Sequence, residues 1–345
     1  MKKDYRFQYI PSYIIRNWKD AEGNIPYVTR GSNEVFVSPL EDTFIEPLKV
    51  DVSPEKMEEA DITANTKLVD IVSEITHGDF SSLDKEIFWF SALMTHLFYA
   101  NPFGRPRLQD IIDHHAGELL EKGTGEKLSQ ILTAHFTDSR TTGDILRMRE
   151  MASTAFVYGF DLDSVVLEAA ETVDFVLGSN PSFFFNPSDN EIFREAQPEI
   201  AQNGIAAILT LSPRYALCIY DGSAYKLRKR DGRVILSEED TLKYNRIMAI
   251  SGTCCVFSPT EKYGDEYYAH IYDDIGDIFW EDACPEFPFF RILADVYSRE
   301  YPERKYAERI FTYDAFCFGE DSEKTVEDYQ ERIRYALSLA SDMKA

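Results

Sequence analysis

The turn Gly178-Ser179-Asn180-Pro181 leaves a β-like run and offers a hydroxyl and an amide on a loop, where binding side chains concentrate. Ser-Asn-Pro is also ordinary turn chemistry, so a functional reading needs partners from elsewhere in the chain. Asp113-His114-His115 resembles the Asp-His-His signature of metal phosphoesterases, whose residues leave a strand to hold a divalent ion. Here Leu108, Ile111, Ile112, His115 and Leu119 share one helical face, and His114 stands between Asp110 and Glu118 at i±4. A core histidine beside a solvated acidic stripe is the favoured reading, because no second cluster with ligand spacing supports a metal. His96, in an apolar run with Trp89, is read as a hydrogen-bonded core residue rather than a proton carrier.

Two charged segments could receive partners. Lys262 to Glu286 interleaves Asp265, Glu266, Asp273, Asp274, Asp277, Glu281, Asp282 and Glu286 with Tyr267, Tyr268, Tyr272, Phe279 and Trp280. Such a segment could meet a basic partner or a cation, but an amphipathic helix and loop with a solvated acidic face is favoured. Lys226, Arg228, Lys229, Arg230 and Arg233 make a basic hairpin tip, weak evidence for anion binding. No P-loop, dinucleotide fingerprint, HExxH helix, EF-hand loop or GxSxG elbow is present, so the common nucleotide and hydrolase chemistries lose support.

The elements that must position these residues follow from pattern. The chain has 345 residues, enough for a sizeable core, and 36 basic against 60 acidic residues leave a formal charge of −24. That field disfavours general nucleic-acid binding and anionic lipid. With 44% hydrophobic and 14% aromatic residues the chain is globular, not disordered or fibrous. Five cysteines (Cys218, Cys254, Cys255, Cys284, Cys317) lack a C-x-x-C pair, no signal peptide or membrane span is evident, and a reducing cytoplasm is the expected compartment. No metal and no cofactor are implied.

Residues 1–52 read as an extended arm, with β-like runs at Ile25–Thr29 and Val35–Val37 and four prolines that forbid a long helix. Ser53-Pro54-Glu55 caps a helical region, 53–172, whose spine Ile87–Phe98 is apolar all round and is expected to be surrounded by other helices. From 173 to 345 period-two runs take over: Val173–Leu177, Phe183–Phe185, Ile205–Leu211, Tyr215–Tyr220, Tyr225–Arg228 and Arg233–Leu236. Asp221-Gly222 and Asp231-Gly232 supply positive-φ turns for an antiparallel meander, and Ser237 starts a helix toward Ile250. Further helices are expected near Phe289–Glu300 and Thr325–Met343, with a β-run at Arg309–Phe318. The expected class is α+β: a helical middle bundle with a mainly antiparallel sheet in the second half, packed as one integrated domain.

Three segments in order resemble a bacterial family known only as domain of unknown function 4238. Phe7-Gln8-Tyr9-Ile10-Pro11 through Arg16-Asn17-Trp18 is similar to the family's opening His-His-Tyr-Val-Pro run. Phe90-Ser91-Ala92 through Asn101-Pro102-Phe103-Gly104-Arg105 resembles its Phe-x-Ala helix end. Phe175 to Pro181, with Leu209-Thr210-Leu211-Ser212-Pro213, looks like its Phe-x-x-Ser-Asp-x-Pro turn and following Pro-Leu-Ser-Pro. Relative to that pattern Phe7 and Gln8 stand for the paired histidines, Ala100 lies near the expected arginine, and Ser179 replaces the aspartate. These are the groups suited to acid–base or metal work.

The resemblance implies a divergent member with an altered site. Its ligand-binding candidates are Gln8, Arg16, Arg105, Ser179 and Asn180, expected to line one cleft that keeps affinity for a phosphate or carboxylate without turnover. The leading expectation is a non-catalytic binding or interaction protein whose partner is an anionic small molecule or a basic protein. The alternatives are a hydrolase acting on a phosphorylated or nucleic-acid-derived substrate, and an acidic mimic that occupies a basic partner.

Overall fold

A computed structural model describes residues 5–83, 86–100, 141–146, 162–185, 205–222 and 231–273. The expected Arg105, Asp113–His115, the hairpin residues 223–230 and everything after Asp273 lie outside the described residues. So do the expected later helices and the 309–318 strand.

Two sheets organise the described part. In the larger one, β5 (Leu162–Glu168), β7 (Ser182–Phe185), β8 (Ala206–Thr210), β9 (Tyr215–Asp221) and β10 (Arg233–Ile235) lie in the order β10-β5-β9-β8-β7. In the smaller, β2 (Ile25–Thr29), β3 (Val35–Ser38), β6 (Leu177–Gly178) and β11 (Cys254–Val256) lie in the order β3-β2-β11-β6. A separate antiparallel pair joins β1 (Tyr5–Gln8) to β4 (Ile45–Leu48). The arm thus supplies an interior strand, β2, to a sheet that residues near 177 and 255 complete. Its Ile10, Ile14, Ile15 and Trp18 are fully buried in the same core cluster as Leu162–Leu167 and Tyr244. Trp18 Nε1 donates to the Phe175 carbonyl at 3.3 Å and Asn17 Nδ2 to that of Leu211 at 2.8 Å, which stitches the arm to loops of the second half.

Helix ends obey local chemistry. Ser53 caps α2 (Pro54–Thr76), which buries Leu68, Ile71, Val72 and Ile75 as one stripe and closes at Gly78 with φ +85°. The short α1 (Ser12–Ile15) precedes it, and α3 (Ile87–Ala100) follows. Ser237 Oγ accepts from Asp240 N at 3.1 Å and caps α4 (Glu238–Ile250) as its sequence demands.

Two expectations need correction, and a third falls largely outside the described residues. Much of the expected helical middle bundle lies outside them; within them α3 packs on β5, β7, β8 and β9. An all-apolar helix fits any apolar layer, and Ala206–Leu209 and Ala216–Ile219 leave the sheet in need of a cover. Helical spacing does not persist to Glu171, because Leu162–Glu168 is a strand paired along its whole length with β9, from Leu162↔Asp221 to Glu168↔Tyr215. The β-branched Val165-Val166 run suits a pleated, buried strand better than a helix.

The meander also stops at β9. Strand β5 takes its free edge, so β10 comes to lie on the far side of β5 and runs parallel to it, with Arg233 opposite Val166. Asp231 and Gly232 do have positive φ, +54° and +79°, but Gly222 does not. At 222 the constraint is contact instead: a Cβ there would meet Asp163 Oδ2 at 1.9 Å, so that carboxylate would have to move aside.

The start of α4 is tied to the loop after β11 by Glu238, whose carboxylate accepts from Thr172 Oγ1 at 2.5 Å, from Tyr263 OH at 2.8 Å and from Lys262 Nζ. The hydrogen bond from Lys262, with those from Thr172 and Tyr263, holds its pKa down at about 2. A carboxyl depressed in the folded state adds stability above its unfolded value and loses it as pH falls through the folded one. Acid unfolding of the wild type is therefore expected to include a component between pH about 4.5 and 2. That component should be absent from Glu238→Gln when denaturation midpoints are followed against pH.

Candidate functional site

At one end of the larger sheet the last residue of β5 meets the turn before β9 and the first residue of β10. Register places Glu168 opposite Tyr215 and Arg233 opposite Val166. Arg214 directs Nε (3.1 Å) and Nη2 (2.7 Å) at Glu168 Oε1, and Arg233 Nη1 lies 2.6 Å from Oε2. The carboxylate side chain is 8% exposed, whereas the two arginines are 32% and 30% exposed. A nearly buried anion is thus clamped between two cations that reach solvent. Arg214 also acts on Asp174, whose carboxyl is pushed up by burial and held back by that guanidinium.

Arg233 forms one wall of an open cleft of about 380 Å³, lined also by Gly78, Phe80, Ser81, Asp231 and Gly232. Its guanidinium carbon sits 5.9 Å from the centre of the Phe80 ring, and Tyr215 meets the same ring edge-on at 5.4 Å. Two left-handed residues in succession, Asp231 and Gly232, turn the chain so that β10 begins at the cleft. Among the described residues the lining holds a cation, a carboxylate, a hydroxyl and an aromatic ring.

None of Gln8, Arg16, Ser179 or Asn180 lines this cleft. Gln8 Nε2 donates to the carbonyls of Leu40 (2.8 Å) and Thr43 (3.0 Å) and pins the turn before β4. Arg16 is exposed at the end of α1. Ser179 and Asn180 are buried, with Ser179 Oγ accepting from Thr253 N at 2.9 Å and the Asn180 carbonyl accepting from Ser251 Oγ at 3.3 Å. Their turn is packing, not a displayed loop.

Sequence reasoning named Arg233 only as part of a hairpin tip and missed Phe80, Glu168, Arg214 and Asp231 as site residues. A signal existed at Glu168, a charge that ends the apolar run Val165-Val166-Leu167 and so needs a paired counterion when buried.

Other candidates have structural roles in the described part. Tyr268 and Tyr272 are buried, with Tyr268 stacked on Phe257 at 4.4 Å, while Asp265, Glu266 and Asp273 are exposed, as expected of a solvated acidic face. Short α5 (Asp265–Ala269) carries that face. Burial pushes the Cys254 thiol up to about 11 and the Cys255 thiol further, so neither is a thiolate near neutral pH. Among the described residues no three His, Cys, Asp or Glu side chains are grouped to hold a metal ion, and no helix is long and apolar enough to cross a membrane.

The family model described as "Protein of unknown function (DUF4238)" matches residues 84–259, just over half of the chain. The chain belongs to this family. The DUF4238 match contains the Phe90–Arg105 and Phe175–Pro213 segments of the expected resemblance, whereas Phe7–Trp18 lies outside it. Glu168, Arg214 and Arg233 fall within the matched region, and Phe80 precedes it. No curated protein and no solved structure matches the chain.

Proposed function

We propose that this chain is a non-catalytic binding protein whose cleft at Phe80, Asp231 and Arg233 takes a small carboxylate-bearing molecule. The observation that carries the reading is Arg233. Its guanidinium is anchored by Glu168, packed over Phe80 and partly exposed at the cleft wall. An anchored fork loses little entropy when it binds an oxyanion, so it is pre-organised for a carboxylate. The cleft volume falls within the roughly 300–1,000 Å³ usual for small-molecule sites.

The test is titration of 3-phenylpropanoate, a carboxylate with an apolar ring, followed by ligand-observed NMR. Arg233→Ala is expected to weaken binding by about tenfold or more, the scale of a hydrogen bond to a charged group. Arg214 still pairs with Glu168 in that variant, so the sheet end keeps a counterion. Undetectable binding at ~10 mM ligand, a concentration that reveals even millimolar affinity, would reject the reading, as would unchanged binding by Arg233→Ala.

A further inference from the structure

Among the described residues the charges around the cleft do not suit a bare anion. Glu168 contacts both Arg214 and Arg233 and so offsets one of their two positive charges. Asp231, exposed and part of the cleft lining, adds a second negative charge. The four side chains are therefore neutral as a group, inside a chain of formal charge −24. A phosphate dianion would approach against that field and, among the described residues lining the cleft, meet no surplus positive charge. What the cleft presents instead is a separated pair, a guanidinium and a carboxylate two residues apart in sequence, beside the Phe80 ring.

We infer that the cleft recognises a zwitterion of the α-amino-acid type, with the ligand carboxylate on Arg233, its ammonium on Asp231 and an apolar side chain against Phe80. This rests on the carboxylate reading above and adds the ammonium subsite. Each ligand charge meets an opposite one and neither pairing leaves a net charge behind, the complementarity by which polar sites gain specificity. The turn itself does not require the Asp231 charge. At φ +54° asparagine is as well tolerated as aspartate, so Asp231→Asn removes the charge while keeping the backbone.

The experiment titrates L-phenylalanine, 3-phenylpropanoate, 2-phenylethylamine and inorganic phosphate into the full chain and into Asp231→Asn. With the wild type, L-phenylalanine should bind about threefold to fivefold more tightly than 3-phenylpropanoate, the increment of one partly exposed ion pair. It should also bind more tightly than 2-phenylethylamine and phosphate. In Asp231→Asn L-phenylalanine should bind more weakly and its preference over 3-phenylpropanoate should vanish. Equal wild-type affinity for the amino acid and 3-phenylpropanoate overturns the zwitterion inference and leaves the carboxylate reading standing. A preference that survives in Asp231→Asn, or tighter binding of phosphate, also overturns it. Failure of every probe to bind overturns both.

Discussion

Gly178→Ala is expected to destabilise the protein by about 3 kcal/mol, the upper end of the range for overpacking a tight contact. A Cβ at 178 would lie 2.6 Å from the Met248 carbonyl oxygen and 3.3 Å from its carbon, and a backbone carbonyl near the end of α4 cannot rotate aside as a side chain does. The same contact is approached from the other side at Gly252, where a Cβ would fall 2.3 Å from Ser179 Oγ and 3.1 Å from Asn180 N. Ser179 Oγ is meanwhile held by Thr253 N, so moving it sacrifices a buried hydrogen bond. Gly252→Ala should therefore be damaging as well, and the double variant less than additive because both report one interface. Denaturant midpoints read the effect, with Gly264→Ala as the comparison. That position has nothing within 4 Å of a Cβ and should lose less than about 1 kcal/mol. A Gly178→Ala variant as stable as Gly264→Ala would show that the turn and the end of α4 do not approach so closely.

Glu168→Gln should be comparably costly. Removing one member of a buried charge cluster strands the others, a loss of about 3–5 kcal/mol when all are buried. Arg214 and Arg233 are each about a third exposed, and water can screen part of their repulsion, so roughly 2–3 kcal/mol is expected here. The amide would also present an NH₂ group to one guanidinium, adding a donor–donor clash to the lost charge. Beyond stability, Arg233 would lose the partner that holds it at the cleft, so binding of 3-phenylpropanoate should weaken at temperatures where the variant remains folded. Arg214→Ala separates the two effects: it loses one ion pair but leaves Arg233 anchored, so stability should fall while binding persists. Wild-type stability in Glu168→Gln would contradict the clamp.

Wherever a structural feature depends on neighbours in the chain, the residues themselves determined it. Ser53-Pro54 and Ser237 start helices because a side-chain oxygen three residues upstream satisfies an orphan N–H, a wholly local bond. Ile25–Thr29 and Tyr215–Asp221 are strands where β-branched and aromatic residues cluster, and Asp231-Gly232 turns where only small or polar residues accept positive φ. The α+β class and the family resemblance follow from the same local patterns.

Tertiary structure alone decided which edges pair and which polar groups are consumed. Between Leu162 and Glu168 only the β-branched pair Val165-Val166 leans toward a strand, and pairing with β9 is what settles it; that pairing in turn sends β10 across to a parallel edge. Ser179 and Gln8 have side chains suited to a site, yet the packing of distant segments spends them on backbone groups at 253–254 and 40–43, and Asn180 is fully buried beside Ser179. Conversely, Phe80, Glu168, Arg214 and Arg233, spread over some 150 positions, meet because three neighbouring strands of one sheet and the loop after α2 converge. Such a juxtaposition rests on long-range contacts, whose free energy is paid back only after the chain has closed its loops, and no short window of residues contains that information.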